Sequence, residues 1–378
     1  MKKLVTFLLL ISLILTWGTS AYAAAPADDL QVLHDVLSLV DERFLQDVDN
    51  DQLISGALAG MLQALGDPYS EYFTPTEYKA FLAQVTAKQA GVGIMVKQDD
   101  QHRWLVQSII PGSPAEDTGL RPGDILCQAD DQDLSGLAPE ALEQALGGEV
   151  DSLVTLTILR DGLTLRVPIT RALVNQPTVS SEMLSGGIGY VYLSSFGENT
   201  ANELASALSN LRAKGMRALL LDLRDNPGGL MQSVVDVGAK LLPAGTIMRL
   251  VNRAGVEETV TVDGPGLRLP MAALVNQLTA SAAEVLAGAI HDRAEGLLIG
   301  ERTYGKGVMQ DVYELGDNGG YGAMKITTAE FFTPNGTKIQ EVGLEPDLEV
   351  APDAKNLPLL PGEQTLYPAM QGAPVQML

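Results

Sequence analysis

Residues 218–229 read ALLLDLRDNPGG, an apolar run that ends in two aspartates, an arginine and an Asn-Pro-Gly-Gly turn. The run predicts a buried β-strand, and the paired glycines let the backbone after it come close to another group. A helical pattern follows through SVVDVGAKLL, residues 233–242. A strand, a glycine turn and a helix in succession predict one unit of an α/β fold.

The same alternation extends over residues 173–350, which we interpret as one α/β domain with β-rich elements at its end. Three strand patterns alternate with two helical patterns around the opening stretch: GYVYLSSF, NELASALSNLRAKG, AALVNQ, SAAEVLAGAIHDR and LLIGERT. Two strand ends carry small residues, at Asn226–Gly229 and at Thr279–Glu284. Small residues at these ends predict places where the backbone closely approaches a substrate or another chain segment.

Ser281, in the second of these places, begins a predicted helix in the stretch TASAAE. A serine at this position is typical of an N-cap, whose side-chain oxygen accepts a backbone N–H. It is also where a nucleophile would benefit, because unpaired N–H groups and the helix dipole stabilise a developing oxyanion. The residues alone leave both interpretations open.

A nucleophilic Ser281 would need a base, and the three histidines are poor candidates. His34 belongs to an N-terminal helical pattern, His102 to a DDQHR turn, and His291 to the same helix as Ser281. Ten residues along a helix separate two positions by ~15 Å at ~1.5 Å per residue. This distance excludes His291 as the base within that helix.

Lys306 is the alternative base, and it lies between two glycines in TYGKGVMQ, residues 303–310. A free lysine has a pKa of ~10.4, so only burial in apolar surroundings would supply the neutral amine that a base requires. The neighbouring residues provide no carboxylate that would keep it charged. Gln310 lies four residues further on, where its amide could orient the amine or serve as an ordinary polar strand residue.

Residues 89–172 change to short alternating segments with turn signals, which predict a small, mostly β module. Its stretches GVGI, PGSPAEDTGLRPGDIL and PEALEQAL resemble the carboxylate-binding loop, short helix and groove helix of a PDZ domain. In such a loop, backbone N–H groups hold the C-terminal carboxylate of a peptide that adds to the sheet edge. The expected peptide-binding residues are Gly91, Val92, Gly93, Ile94, Leu142 and Leu146.

Residues 24–88 show helical spacing of apolar side chains, interrupted at GDPYSEYF, residues 66–73. Thr74, Pro75 and Glu77 predict a capping-box start for the next helix. We interpret this N-terminal helical region as packing and support rather than chemistry.

Both ends of the chain differ from the region between them. Residues 1–23 combine two lysines, an apolar run and small residues, which predicts a signal peptide; an uncleaved anchor in the inner membrane is the alternative. Residues 351–378 form a proline-rich tail without periodicity. Cys127 is the only cysteine, so the chain has no internal disulfide. Together with the predicted export signal, this indicates that the protein is located in the periplasm or another extracytoplasmic compartment. A net charge of -22 argues against nucleic acid as a partner.

Taken together, the motifs resemble the carboxyl-terminal processing proteases, or tail-specific proteases, which are Ser/Lys peptidases with an inserted PDZ domain. The resemblance covers about residues 30–347 and includes the family's spacing of serine, lysine and glutamine, here Ser281, Lys306 and Gln310. It implies an α/β protease core of the crotonase/ClpP-like type with an inserted mostly-β PDZ domain and N-terminal helices. It also implies cleavage of proteins or peptides with apolar C-termini, without metal or cofactor, and it is compatible with an adaptor protein or a homo-oligomer.

Residue by residue, the resemblance makes Ser281 the nucleophile, Lys306 the base and Gln310 the group that orients the lysine. The oxyanion donors would be the N–H groups of Ala282 and Gly228, with Gly229 as the alternative to Gly228. Asp292 matches an acidic position of part of the family, and its distance along the helix from Ser281 favours a structural role. Gly147 departs from the pattern, since it replaces an arginine that often links an occupied PDZ groove to the active site.

Two other functions remain compatible with parts of the sequence. A catalytically silent PDZ scaffold would bind peptides without cleaving them, although the complete set of Ser281, Lys306 and Gln310 argues against it. A crotonase-like acyl-transfer enzyme would share an oxyanion hole of two N–H groups. Export and the PDZ module argue against this second alternative, because its coenzyme is cytosolic.

Overall fold

The computed structural model describes residues 27–350, so the predicted signal peptide and the proline-rich tail lie outside the described residues. These residues divide into two compact units, one ending at Met61 and the other beginning at Leu62. Within the described part of the chain, no helix combines the length and apolar character needed to cross a bilayer.

The structure contains both α-helices and β-strands, as the sequence predicts. The helices are α1 (Ala27–Arg43), α2 (Asn50–Gln63), α3 (Pro75–Val85), α4 (Pro139–Leu146), α5 (Thr200–Ala213), α6 (Met231–Leu241) and α7 (Ala282–Asp292). The strands before α5 are β1 (Glu71–Phe73), β2 (Lys88–Gly91), β3 (Ile94–Gln98), β4 (Trp104–Ile109), β5 (Ile125–Ala129), β6 (Gln132–Asp133), β7 (Leu153–Arg160), β8 (Leu163–Thr170), β9 (Ala172–Asn175), β10 (Val179–Leu184) and β11 (Ile188–Leu193). Those after it are β12 (Ala218–Asp222), β13 (Pro243–Asn252), β14 (Glu257–Pro265), β15 (Met271–Val275), β16 (Leu297–Gly300), β17 (Val308–Glu314), β18 (Ala323–Phe332) and β19 (Leu348–Glu349).

The α/β core is built on a six-stranded sheet in the order β10-β11-β12-β15-β16-β19, parallel except for the β10–β11 pair. The opening stretch of the sequence supplies β12 at the centre of this sheet, and its leucines Leu219 and Leu221 are buried. Helix α7 is buried from Ala282 to Ile290, and apart from Glu284 the residues of this stretch are small or apolar on every face. This explains why its sequence shows little amphipathic alternation.

A second sheet shows a pairing that the sequence analysis did not predict. Its order is β1-β18-β13-β14, with β17 also paired to β18. Strand β1 is the EYF of the segment assigned to the N-terminal helical region, and it pairs antiparallel with β18, about 250 residues later. Three residues are too few to show the alternation of a strand, so only the tertiary structure reveals this pairing.

The module predicted at residues 89–172 has its own sheet, in the order β3-β4-β5-β7-β8 with β6 on β5, and its own apolar core around Val106, Leu126 and Leu156. Strand β3 is at the edge of this sheet, and α4 packs within the same core through Leu142 and Leu146. Strands β2 and β9 form a two-stranded ribbon where the chain enters and leaves the module.

The predicted capping box is confirmed at α3. Thr74 is the N-cap residue, its backbone N–H donates to Glu77 Oε2 at 2.8 Å, and Pro75 is the first helical residue. Local sequence was sufficient here because both partners of a capping box lie within one turn of each other.

Candidate active site

The candidate site lies where three neighbouring parallel strands end. Strands β12, β15 and β16 are adjacent in the sheet, so their carboxyl ends meet at one edge. The loop after β12 contains Gly228, the loop after β15 contains Ser281, and the segment after β16 contains Lys306. Residues that are far apart in sequence are therefore brought together by the order of the strands.

Ser281 has an unusual backbone conformation, with φ 57° and ψ -119°. Such angles cost a non-glycine residue about 1 to 3 kcal/mol and are concentrated at functional sites. Ser281 is also the N-cap residue of α7 and forms a capping box with Glu284, whose carboxylate accepts the Ser281 N–H at 2.9 Å. An N-cap residue ordinarily has β-region backbone angles, so the capping role does not account for the strained conformation.

Glu284 connects the serine to the lysine, a role that the sequence analysis missed. Its fully buried carboxylate accepts the backbone N–H of Ser281 at 2.9 Å and that of Lys306 at 2.9 Å. It also accepts the N–H of Gly305 at 2.8 Å and the hydroxyl of Thr303 at 2.5 Å. Burial raises the pKa of Glu284 above its ordinary value, although the four donated hydrogen bonds act in the opposite direction.

Lys306 is half-buried, and its Nζ lies 5.1 Å from the centre of the Tyr69 ring. Burial lowers the pKa of its ammonium group, and the positive charge of Lys325 lowers it further. Three carboxylates act in the opposite direction, those of Asp67, Glu71 and Glu284. The residues next to Lys306 in sequence supply no carboxylate, so all three of these charges come from other segments of the chain. The segment around Tyr69, interpreted as support, contributes directly to the surroundings of the amine.

The glycines on both sides of Lys306 have a clear structural reason. A Cβ at Gly305 would lie 2.9 Å from the N atom of Gly343, and one at Gly307 would lie 2.3 Å from the N atom of Gln340. Gln340 Oε1 accepts the N–H of Gly307 at 2.9 Å. The two glycines therefore let the lysine segment pack tightly against residues 340–343.

Gln310 is on β17, directly opposite Thr327 on β18. Its Nε2 donates to Thr327 Oγ1 at 3.2 Å and to the Val308 carbonyl at 3.3 Å. Among the described residues, no hydrogen bond joins Gln310 to the Lys306 amine, and none joins the Ser281 hydroxyl to that amine.

The glycine loop after β12 packs directly on the serine. A Cβ at Gly228 would lie 2.8 Å from the Ser281 Cβ and 3.0 Å from the Ala282 N atom. The Gly228 N–H donates to Asn226 Oδ1 at 2.9 Å, whereas that of Gly229 has no acceptor among the residues described. As the first residue of α7, Ala282 has an N–H that the helix does not use.

His291 and Asp292 lie at the far end of α7. The His291 ring contacts the carboxylates of Asp292 and Asp347, each at 3.3 Å. Asp292 Oδ2 accepts the backbone N–H of Asn335 at 2.8 Å, a contact that fastens the end of the helix to a neighbouring loop. In residues 27–350, no group of three or more His, Cys, Asp or Glu side chains could hold a metal ion.

All six residues predicted to bind a peptide line one cavity of about 270 Å³ between the edge strand β3 and helix α4. Ala115 N–H donates to the Val92 carbonyl at 2.9 Å and Ile110 N–H to the Gly93 carbonyl at 3.0 Å, so the loop is held from one side. The N–H groups of Val92 and Gly93 have no acceptor among the described residues. This arrangement is suited to binding a carboxylate.

Gly147 lies at the end of α4 and also lines this cavity. The end of the helix is held by Arg171, a buried residue that the sequence analysis did not single out. Its guanidinium donates to the carbonyls of Leu146 at 3.0 Å and Ala145 at 3.4 Å. Arg171 directly precedes β9, which leads the chain back to the core.

Comparison with known proteins identifies the family. The profile of peptidase family S41 matches residues 187–350, that of the PDZ domain matches 82–159, and that of the activating protease CtpB N-terminal domain matches 17–76. The chain is 34% identical over 338 residues to the carboxy-terminal processing protease CtpA of Bacillus subtilis, covering 88% of this chain and 72% of that protein. The chain belongs to the S41 carboxyl-terminal processing proteases.

Other members of the S41 peptidases are similar over comparable lengths. A carboxyl-terminal-processing protease of Synechocystis is 32% identical over 367 residues, which cover 90% of this chain and 85% of that protein. The solved structure of a photosystem II D1 C-terminal processing protease is 29% identical, with a TM-score of 0.50 over 87% of this chain and 94% of that one. The predicted fold class, an α/β peptidase core with an inserted PDZ domain and N-terminal helices, is thereby confirmed.

Proposed function

We propose that this S41 peptidase is a serine endopeptidase in which Ser281 attacks the peptide carbonyl and Lys306 accepts the serine proton. The observation that carries the proposal is the Glu284 carboxylate, which binds the backbone N–H groups of both residues at 2.9 Å. A strained serine and a half-buried lysine, fixed to one buried group, are an arrangement that favours nucleophilic catalysis.

In this mechanism the Ser281 hydroxyl loses its proton to the neutral Lys306 amine as its oxygen bonds to the carbonyl carbon. The oxyanion that forms accepts hydrogen bonds from the backbone N–H of Ala282 and from that of Gly228 or Gly229 in the glycine loop. Collapse of the intermediate breaks the peptide bond, and Lys306 returns the proton to the leaving amine. Water then attacks the acyl-enzyme while Lys306 takes one of its protons, and Lys306 returns that proton to the Ser281 oxygen as the ester bond breaks; these steps require no metal or cofactor.

The peptide groove supports capture of substrates by their C-terminal ends. Strand β3 is an edge strand, so an extended peptide can add to it while apolar residues hold the last side chain and the Val92 and Gly93 N–H groups bind the carboxylate. The signal-peptide pattern of residues 1–23 supports exported proteins as substrates. The change of sheet between β8 and β10 supports domain limits near those proposed from the sequence, 89–172 and 173–350, which fall within the paired strands β2 and β9.

Cleavage of casein or of a peptide with an apolar C-terminus tests the proposal. The wild-type protein should cleave and Ser281→Ala should not, while both should bind the peptide with similar affinity. A PDZ scaffold would bind without cleavage in either form. Equal cleavage by the wild type and Ser281→Ala, in preparations free of other proteases, would refute the assignment.

A further inference from the structure

The residues around Lys306 include a polar network from the segment before β1, which the proposed mechanism does not use. Asp67 is the centre of this network. Its Oδ1 accepts the Tyr69 N–H at 3.1 Å and its Oδ2 accepts the Ser70 hydroxyl at 2.5 Å. Because the Tyr69 ring centre lies 5.1 Å from the Lys306 amine, the turn that contains Asp67 adjoins the lysine, and the Asp67 charge raises the pKa of that amine.

A continuous chain of hydrogen bonds leads from Gln310 to this carboxylate. Gln310 Nε2 donates to Thr327 Oγ1 at 3.2 Å, and from Thr327 the connection continues through its backbone N–H to Ser70, whose hydroxyl donates to Asp67 Oδ2. The Thr327 backbone N–H donates to Ser70 Oγ at 3.0 Å, which fixes the threonine against the same turn. Burial would raise the pKa of Asp67, but these hydrogen bonds and the Lys306 charge hold it below its ordinary value.

We propose that Asp67 is a positioning residue for Lys306, and that Gln310 acts on the lysine through Thr327 and Asp67 rather than by direct contact. The proposal rests on Lys306 being the base of the proposed function. It assigns Asp67 the task of stabilising the ammonium group that forms when Lys306 takes the serine proton. The ionised carboxylate is suited to this task because its hydrogen-bond donors favour its charged form.

A second lysine opposes this effect. Lys325 is opposite Glu71 in the β1–β18 pair, forms an ion pair with it, and lies 5.3 Å from the centres of the Phe73 and Phe81 rings. Its positive charge disfavours a second cation nearby. The titratable groups that face Lys306 are therefore Asp67 and Tyr69 before β1, Glu71 on β1, Glu284 on α7 and Lys325 on β18.

Two substitutions should consequently move the acidic limb of kcat/KM in opposite directions. Asp67→Asn removes a negative charge, so Lys306 loses its proton at lower pH and the limb should move down by roughly one pH unit. Lys325→Met removes a positive charge and leaves Glu71 unpaired, so the limb should move up by a similar amount. Loss of structural support alone would reduce the rate without moving the limb.

Asp311 provides a matched control. It follows Gln310 on β17, points to the opposite face of the strand, and its Oδ2 accepts the Thr328 hydroxyl at 2.8 Å. Asp311→Asn thus removes a half-buried carboxylate paired with a threonine, one residue from Gln310, and should leave the limb in place. A limb that stays at the wild-type pH in Asp67→Asn, or that moves equally in Asp311→Asn, would overturn the proposal.

The connection through Thr327 is tested by a double-mutant cycle. In the wild type, Gln310→Ala should reduce kcat/KM. In the Asp67→Asn background the same substitution should reduce kcat/KM by less than about twofold, because the connection between Gln310 and Lys306 is already broken. Equal losses in both backgrounds would mean that Gln310 acts directly. If Asp67→Asn does not fold, Thr327→Val serves as the second background, and the Lys325→Met profile still tests the charge balance.

Titration of the lysine without turnover separates this proposal from the proposed function. In Ser281→Ala protein with ¹³C-labelled lysine, the Cε resonance of Lys306, assigned by its loss in Lys306→Arg, should titrate at lower pH when Asp67→Asn is added. An unchanged titration would refute the role of Asp67 even if the enzyme is a Ser/Lys protease. If the titration shifts but the wild-type protein does not cleave peptides, the proposed function is refuted and the role of Asp67 is not.

Discussion

Gly228→Ala is predicted to impair catalysis much more than folding. The added Cβ would lie 2.8 Å from the Ser281 Cβ, which would have to retreat by about 0.6 Å to reach an ordinary contact of 3.4 Å. Gly228 also has φ 102°, a conformation that costs an alanine about 1 to 3 kcal/mol. Misplacement by up to about 1 Å can reduce rates about 100-fold, so we expect kcat to fall between 10- and 100-fold.

The control is Gly255→Ala, at another glycine with positive φ, 73°, where an added Cβ meets nothing within 4 Å. It carries a similar conformational cost, so it should lower the Tm in thermal unfolding while leaving kcat within about twofold. Peptide cleavage under saturating substrate and circular dichroism melts measure both effects. Full activity in Gly228→Ala, or an equal loss of kcat in both variants, would refute close packing of this loop on the serine.

Three further outcomes are expected. Lys306→Ala and Lys306→Arg should both be folded and inactive in peptide cleavage, because arginine does not deprotonate in this pH range, and activity in either would exclude the lysine as base. Glu284→Gln should lower the free energy of unfolding in urea melts by at least about 2 kcal/mol, because an amide cannot accept all four donated hydrogen bonds. Glu77→Gln is the control, since Glu77 has the same position in the exposed capping box of α3, and it should lower the free energy by less than about 1 kcal/mol. Equal losses in the two variants would contradict the special role of Glu284. Peptides with apolar free C-termini should be cleaved faster than those ending in aspartate or an amide, and equal rates would argue against capture in the groove.

Much of the fold could be predicted from the sequence because its signals are local. The apolar run before Asn226, the capping box at Thr74 and the glycine loop before β3 each depend on neighbouring residues. The order of strands then brings Gly228, Ser281 and Lys306 to one sheet edge, as the α/β alternation implies.

The surroundings of the lysine could not be predicted in the same way. Asp67 and Tyr69 are brought to the lysine because β1 pairs with β18, a contact between segments about 250 residues apart, and Lys325 is brought there because β18 also pairs with β17. Glu284 was visible in the sequence as an N3 glutamate, but its complete burial and its bonds to Thr303, Gly305 and Lys306 depend on tertiary packing. The backbone strain at Ser281 has no sequence signal, since serine is common at N-caps.

Localisation of the acyl group in a trapped intermediate tests the central claim most directly. The wild-type protein is mixed with a peptide ester, quenched in acid during the first turnover, digested and analysed by mass spectrometry. We predict that the acyl group is found on Ser281 and that it does not form in Lys306→Ala at neutral pH. An acyl group on another residue, or undiminished acylation of Ser281 in Lys306→Ala, would contradict the Ser281 and Lys306 mechanism.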